Sequence, residues 1–162
     1  MKKILVFLLI FLLFYAVLGI YFLDKEYFLC PIYYKKDILI RSDAYGKGFF
    51  AANRRGNRLH NGIDLFAEIG TPVLASQAGI VIAAQKNQGM GNYIVLRHPA
   101  GITTIYGHLA AIHVAKGNLI RQGQVIGEVG KTGNANRRDI LPHLHFEVRK
   151  SKVPQDPLEY LP

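Results

Sequence analysis

From about Ser42 onwards, the sequence consists of short β-branched runs separated by glycine-containing turns. No helical hydrophobic period extends over ten residues in this part of the chain. Runs of this length and spacing are typical of a compact antiparallel sheet domain. We therefore predict an all-β, antiparallel fold for residues 43–162. The runs read GIDLF, TPVLAS, GIVIAA, NYIVLRH, GITTIYGHL, NLIRQGQVIGEVG and HLHFEVRK.

The N-terminus carries a second strong signal, an apolar run. Residues Ile4 to Leu23 are twenty consecutive apolar or glycine positions, and two lysines precede them. As a helix, this run is about 30 Å long, which matches the hydrocarbon thickness of a bilayer. A cleaved signal peptide is the alternative, but its apolar run is usually about 7–15 residues long. We predict one transmembrane helix at 1–23, a juxtamembrane linker at 24–42 and a domain at 43–162.

Charge and cysteine content narrow the class of partner. The formal net charge is +9, which suits anionic surfaces such as cell-wall polymers or lipid headgroups. The basic residues do not interleave with aromatic residues on one face, and no nucleic-acid motif occurs, so we expect no nucleic-acid partner. Cys30 is the only cysteine, which excludes an intramolecular disulfide.

The run HLHFEV places two histidines on one face of a predicted strand. Strand side chains alternate between faces, so Leu144 and the apolar residues at i+2 and i+4 point towards a core. His143, His145 and Glu147 then point together to the opposite face. A solvated polar face is one interpretation of this pattern, and a metal site is the other.

A second stretch, HNGIDL, contains a histidine and an aspartate four residues apart. On a straight strand, the Cα atoms of His60 and Asp64 would lie about 13 Å apart, too far for one metal ion. A bend at Gly62 would bring them together. Two histidines and one carboxylate suffice for a zinc with an open fourth position, which is the catalytic pattern. The lack of sulfur ligands argues against a closed structural zinc site.

Five motifs occur in an order that is typical of one family: HNGIDL, GTPVLAS, YGHL, GQVIGEVGKTGN and HLHFEV. Over residues 43–158, the chain resembles the M23, or lysostaphin-type, zinc metallopeptidases, which cut peptidoglycan cross-bridge peptides. The resemblance implies an antiparallel β fold with the site in an open groove. It also implies one Zn²⁺ per chain and a substrate drawn from peptidoglycan stem or cross-bridge peptides.

Site roles follow from the same resemblance, position by position. It assigns His60, Asp64 and His145 as zinc ligands, and it makes His108 and His143 the catalytic pair. Which of these two histidines is the general base stays open. Glu147 lies on the same face, two residues beyond His145. A role in supporting a ligand, or a surface position, fits it better than direct ligation.

The implied activity is that of a zinc metallo-endopeptidase that hydrolyses peptidoglycan cross-links by means of an activated water. A cell-wall substrate places the domain outside the cytoplasmic membrane of a bacterium, so we predict a periplasmic or exoplasmic domain on an N-terminal membrane anchor. Two segments depart from the family pattern, YGKGFF and ANRRDILP. Both are expected to border the groove, where they would affect substrate preference and not the metal.

Three other functions compete with this one. A non-catalytic peptidoglycan-binding or amidase-activating module could use the same fold, but such a module would be expected to have lost ligands. A biotinyl or lipoyl carrier domain is suggested by a hairpin-like stretch at residues 117–130, but that stretch has no lysine in the modified turn. A non-haem Fe(II) oxygenase also uses two histidines and one carboxylate. The His–Asp spacing and the predicted anchor count against the oxygenase.

Overall fold

The computed structural model describes residues 2–21, 28–54 and 56–162. The end of the predicted anchor, 22–23, and the start of the predicted linker, 24–27, lie outside the described residues. The helix α1 spans Lys2–Tyr21. Short 3-10 segments lie at Pro99–Gly101, Gly133–Ala135 and Pro157–Glu159.

The predicted N-terminal helix is present as α1, and its large apolar side chains from Ile4 to Tyr15 are all exposed, by 54% or more. Across residues 2–21, 28–54 and 56–162, no helix combines the length and the apolarity that a membrane crossing requires. The helix is therefore confirmed, but its membrane-spanning role is not supported by the structure and stays a prediction.

The rest of the described chain forms short strands. They are β1 (Ser42–Asp43), β2 (Gly46–Lys47), β3 (Asn53–Arg54), β4 (Arg58–Leu59), β5 (Ile63–Phe66), β6 (Pro72–Leu74), β7 (Gly79–Asn87), β8 (Gly91–Arg97), β9 (Ile102–Leu109), β10 (Ala111–Ile112), β11 (Leu119–Ile120), β12 (Val125–Glu128), β13 (His143–Lys150) and β14 (Val153–Gln155).

The strands pair in one large sheet and several small ones, and every pairing is antiparallel. The large sheet runs in the order β11-β7-β8-β9-β13-β14, with β5 also paired to β13. A three-stranded sheet has the order β10-β12-β6, and the hairpins β1-β2 and β3-β4 stand beside them. The predicted antiparallel β domain is confirmed.

Strand β13 has partners on both edges and organises the site. It pairs with β9 along one edge, and with β5 and then β14 along the other. As the alternation predicted, Leu144, Phe146 and Val148 lie in the hydrophobic core at 0% exposure. The opposite face of β13 is buried as well, so its polar side chains line a site and not an open surface.

Residues 28–41, within the predicted linker, pack against the domain. Phe28 and Ile32 are buried at 5% and 2% exposure. The amide of Arg41 donates a hydrogen bond to the carbonyl of Asp64, and the hydroxyl of Tyr34 donates to the carbonyl of Phe66. This segment therefore contributes to the core and supports β5.

The stretch at residues 117–130, which suggested a carrier domain, does not form a hairpin. Strand β11 pairs with β7, whereas β12 pairs with β6 and β10. The two strands thus belong to different sheets, and the hairpin of a biotinyl or lipoyl domain is not reproduced.

Gly62 lies at the predicted bend, where the chain before β5 passes close to β13. Residues Asn61 and Gly62 form a bend before β5. A Cβ at Gly62 would lie 2.2 Å from the backbone oxygen of Phe146, well inside contact distance. The bend is confirmed, and glycine is required there by the neighbouring backbone of β13.

We expect Gly62→Ala to lower the free energy of unfolding by about 1–3 kcal/mol, because the new methyl group forces β5 and β13 apart. Urea unfolding of the full chain in mild detergent measures this change. Gly89→Ala is the matched control, since its Cβ would meet its nearest neighbour at an ordinary 3.6 Å. Equal stability of the two variants would contradict this account of Gly62.

Candidate active site

The register between β5 and β13 places Asp64 directly opposite His145. Residues opposite each other on neighbouring strands have side chains on the same face. The Nδ1 atom of His145 lies 2.9 Å from Oδ1 of Asp64. Both side chains are buried, at 8% and 3% exposure.

The bend before β5 brings His60 onto the same two groups. Its Nε2 atom lies 3.1 Å from Oδ1 of Asp64 and 3.0 Å from Nδ1 of His145. One atom of each residue therefore meets at a common point, as the sequence predicted for His60 and Asp64. Among the described residues, these three form a group whose ligand atoms are close enough to hold a single metal ion.

The spacing and the chemistry of these atoms fit zinc. Ligand atoms at about 2.0–2.1 Å from a tetrahedral zinc lie about 3.3 Å from one another. The three atoms are separated by 2.9, 3.0 and 3.1 Å, so a small outward movement gives that geometry. Two nitrogens and one oxygen, without sulfur, are the donor set of a catalytic centre.

Backbone carbonyls fix the orientation of three histidines. The Nδ1 atom of His60 lies 2.8 Å from the carbonyl oxygen of Phe49, that of His108 lies 3.0 Å from Thr132, and that of His143 lies 2.7 Å from Leu141. Because a carbonyl only accepts, Nδ1 must donate in each case. In the neutral tautomer that this contact selects, each ring carries its lone pair on Nε2, where a metal or a proton can bind.

His145 has the opposite orientation, because a carboxylate holds its other nitrogen. Nε2 of His145 lies 2.9 Å from Oε1 of Glu147, and Arg149 binds the second carboxylate oxygen of Glu147 at 2.6 Å. Glu147 is almost fully buried, at 1% exposure. A carboxylate behind a metal-binding histidine fixes the ring and raises its basicity. Glu147 therefore lies behind the ligand set and not within it.

His108 and His143 lie next to this group. Their ring centroids are 5.0 Å apart, and that of His108 is 5.8 Å from that of His145. The Nε2 atom of His143 lies 3.9 Å from Oδ1 of Asp64. The backbone of His108 has a φ of 63°, a left-handed conformation that non-glycine residues seldom adopt. The structure thus brings all five predicted site residues together.

Burial separates the charge states of these histidines. Burial, and the charges of His145 and His143, lower the pKa of His108 to about 3. Burial likewise lowers the pKa of His143 to about 4. Both rings are therefore neutral at physiological pH, so their Nε2 atoms are free to accept a proton.

His145 and Asp64 shift in the directions expected of an ion pair. Burial opposes the charged form of His145, but hydrogen bonds to Asp64 and Glu147 outweigh it and raise its pKa to about 9. Burial also opposes the ionised form of Asp64, but the hydrogen bond from His145 and the close contact with His60 hold its pKa well below the usual range. A metal ion bound through Nδ1 of His145 would displace this proton.

Two arginines that the sequence analysis did not identify bind the other oxygen of Asp64. Arg41 and Arg54 approach its Oδ2 atom at 3.0 and 2.8 Å. Arg41 is buried at 4% exposure and also pairs with Asp43. They leave Oδ1 directed at the two histidines, which favours single-oxygen ligation. Neither arginine lies in a motif, and their approach to Asp64 depends on tertiary structure alone.

The site opens into a groove with a volume of about 930 Å³. All five predicted site residues line it. Most of the other lining residues come from the hairpins β1-β2 and β3-β4, from the turn between β7 and β8, and from the connection between β12 and β13. They include Tyr45, Arg58, Asn87, Met90 and Arg137.

The two segments that depart from the family pattern meet at this groove. The guanidinium of Arg137 lies over the ring of Tyr45, 5.7 Å from its centroid. The amide of Leu141 donates a hydrogen bond to Oδ2 of Asp43 at 3.1 Å. One wall of the groove is therefore built jointly from the β1-β2 hairpin and the connection before β13.

Taken together, the fold and the site define a class: an antiparallel β protein with two histidines and one aspartate placed to hold a metal ion at the base of a groove. A sequence profile of peptidase family M23 matches residues 58–157. The chain belongs to peptidase family M23.

One similar curated protein is the DD-carboxypeptidase/endopeptidase Mpg of Neisseria meningitidis serogroup B. It is 46% identical over 101 residues, which are 62% of this chain and 22% of that protein. The chain thus spans less than a quarter of the length of this relative.

Solved structures agree with this assignment. A zinc-containing peptidase from Vibrio cholerae superposes with a TM-score of 0.67 and 34% identity, covering 82% of this chain and 39% of that one. The SpoIIQ–SpoIIIAH pore-forming complex contains a chain with a TM-score of 0.67 and 26% identity, covering 84% of this chain and 91% of that one.

We expect Glu147→Ala to weaken zinc binding by about 10- to 100-fold, because the ring of His145 loses the carboxylate that orients it. Zinc titration of the full chain against a competing chelator measures the affinity. Glu128→Ala is the matched control, since Glu128 pairs with the exposed His113 and lies outside the groove lining. Unchanged affinity in Glu147→Ala would show that Glu147 does not support the ligand.

Proposed function

We propose that the chain is a zinc metallo-endopeptidase that hydrolyses the peptide cross-links of peptidoglycan. One observation carries the proposal: the ligand atoms of His60, Asp64 and His145 converge at about 3 Å from one another at the base of a groove. Two neutral histidines with Nε2 available lie beside them. Membership of family M23 and the similarity to Mpg support the choice of substrate.

In this proposal, three of the five site residues hold the metal and two handle protons. His60, Asp64 and His145 hold the zinc, and a bound zinc supplies Lewis-acid activation of water and of the peptide carbonyl. Nε2 of His108 accepts the proton of the attacking water, which a neutral ring with its Nδ1 proton fixed by Thr132 can do. That proton then passes to the leaving amine, either directly from His108 or through Nε2 of His143, whose Nδ1 proton is fixed by Leu141 in the same way. Once protonated, the His143 ring also stabilises the developing negative charge. The two histidines have the same tautomer, so either can be the base.

We further propose that the domain acts outside the cytoplasmic membrane, with the N-terminal helix as its anchor. Peptidoglycan lies outside that membrane, and a hydrolase must reach it. The exposed apolar side chains from Ile4 to Tyr15 have no place in the hydrophobic core, which supports a lipid environment for α1. The described part of the linker then belongs to the peptidase domain, because Phe28 and Ile32 are buried there.

A non-catalytic module that binds a protein partner is the second candidate function. The SpoIIQ–SpoIIIAH complex, which shares this fold, supports it. Hydrolysis is favoured because all five site residues are present and oriented by their own hydrogen bonds. Incubation of the full chain with purified sacculi, with and without chelator, separates the two, since only an enzyme releases peptides in a metal-dependent way.

We expect His145→Ala to lose both zinc and activity, because one histidine and one carboxylate hold zinc poorly. His143→Ala should keep most of its zinc, while kcat on a cross-linked muropeptide falls about 10²- to 10³-fold. His108→Ala should also keep the metal and lose about 10²- to 10⁴-fold in rate. Metal content by mass spectrometry and turnover measure the two effects.

The control for these variants is His113→Ala, because His113 is exposed and pairs with Glu128 away from the groove. It should retain both zinc and activity. If His143→Ala empties the site while His145→Ala leaves it filled, the ligand and the catalytic residue are reversed.

We expect a reporter fused after Pro162 to be active only if it works outside the cytoplasm. The double substitution Leu12→Arg and Leu13→Arg should release or degrade the protein, since each charge at a helix centre costs about 2.5–3.5 kcal/mol on insertion. Membrane fractionation measures the outcome, and Leu12→Ala with Leu13→Ala is the control. A fusion that is active in the cytoplasm would overturn both the location and the cell-wall substrate.

A further inference from the structure

The charged side chains that line the groove are unevenly distributed. Two acidic residues line it, Asp64 and Glu147, and both are buried, at 3% and 1% exposure. Each is already compensated: arginines and histidines contact Asp64, while Arg149 and His145 contact Glu147. The lining acids therefore present little negative charge to a molecule in the groove.

The lining arginines have different environments. Arg41 and Arg54 form ion pairs with Asp64 at 3.0 and 2.8 Å, so their charge is partly neutralised within the site. Arg58, on β4, and Arg137, in the connection before β13, are exposed. Over the described ranges, neither of these two forms an ion pair. The charge available to a ligand at the rim of the groove is thus positive.

Arg137 is also held in position at the rim. Its guanidinium lies over the ring of Tyr45, and such a contact with the aromatic face leaves the N–H edge of the guanidinium able to donate. The hydrogen bond from Leu141 to Asp43 fastens the same connection to the β1-β2 hairpin. The carbonyl of Leu141 orients His143 in turn. The arginine and the proposed catalytic histidine are therefore carried by one short segment.

We propose that Arg58 and Arg137 bind carboxylates of the substrate peptide, so that the site selects anionic peptides over neutral ones. The substrate class is a cross-linked stem peptide with free carboxylates near the bond that is cut, and not an uncharged glycine bridge. This inference rests on the proposed function, because it concerns the groove of the same site. Guanidinium groups suit it because they bind carboxylates with two parallel hydrogen bonds.

The test compares two substrates that differ only in charge. One is a cross-linked stem-peptide dimer with free carboxylates, and the other is the same dimer with these groups converted to carboxamides. The full chain in mild detergent, loaded with zinc, is assayed for kcat/KM on both. Binding of the same two peptides to the zinc-free chain is measured in parallel, so that recognition is read independently of turnover.

The wild-type chain should cut and bind the anionic dimer better than the amidated one. Arg58→Gln and Arg137→Gln should each reduce that preference about 3- to 10-fold, with little effect on the amidated dimer. Higher salt should reduce the preference as well, because the groove rim is exposed. Arg138→Gln is the matched control, since Arg138 is an exposed neighbour of Arg137 that does not line the groove.

The inference would be overturned by equal binding of the two dimers, by a loss in Arg138→Gln as large as in Arg137→Gln, or by a preference for a pentaglycine peptide. Metal-dependent cutting of both dimers at equal rates would overturn the charge selection and leave the hydrolase intact. Preferential binding of the anionic dimer without any cutting would support the carboxylate site and overturn the proposed hydrolysis.

Discussion

The antiparallel register between β5 and β13 is the constraint on which the site depends. It sets Asp64 opposite His145, and the adjacent pairing of β13 with β9 sets Gly107 beside His145 and so brings His108 close. A slip of one residue would turn both histidines of β13 into the core and expose Leu144 and Phe146. Burial of those two side chains therefore stabilises the fold and the grouping of Asp64 with His145 together, and Gly62 permits the strands to approach closely enough.

The site contains two buried carboxylates, Asp64 and Glu147, and neighbouring arginines and histidines compensate their charge. Asp64 is shared between two arginines on one oxygen and two histidines on the other. Glu147 and Arg149 support His145 from behind. A buried charge without partners is costly, so these contacts stabilise the two carboxylates and hold the proposed metal ligands in fixed orientations. Burial keeps His108 and His143 neutral, which leaves them able to accept a proton.

Local patterns in the sequence are sufficient to predict strands β5 to β9 and β11 to β13, the two faces of β13 and a bend at Gly62, whereas the short strands β1 to β4, β10 and β14 have no such pattern. The family motifs identify the five site residues from the sequence, because each motif is local and the motifs occur in the family's order. The contacts of Arg41 and Arg54 with Asp64 could not be predicted, since they depend on how distant segments pack. For the same reason the sequence predicts a linker over residues 28–41, whereas this segment contributes Ile32 to the core. It also suggested a hairpin at 117–130, whose strands in fact pair elsewhere.

The account rests on one zinc ion held by three particular atoms. Anomalous diffraction at the zinc edge, from crystals of the chain grown with zinc, tests this most directly. The account predicts a single strong peak about 2.0–2.2 Å from Nε2 of His60, Oδ1 of Asp64 and Nδ1 of His145. A peak held instead by His108 and His143, or no peak among these residues, would contradict it.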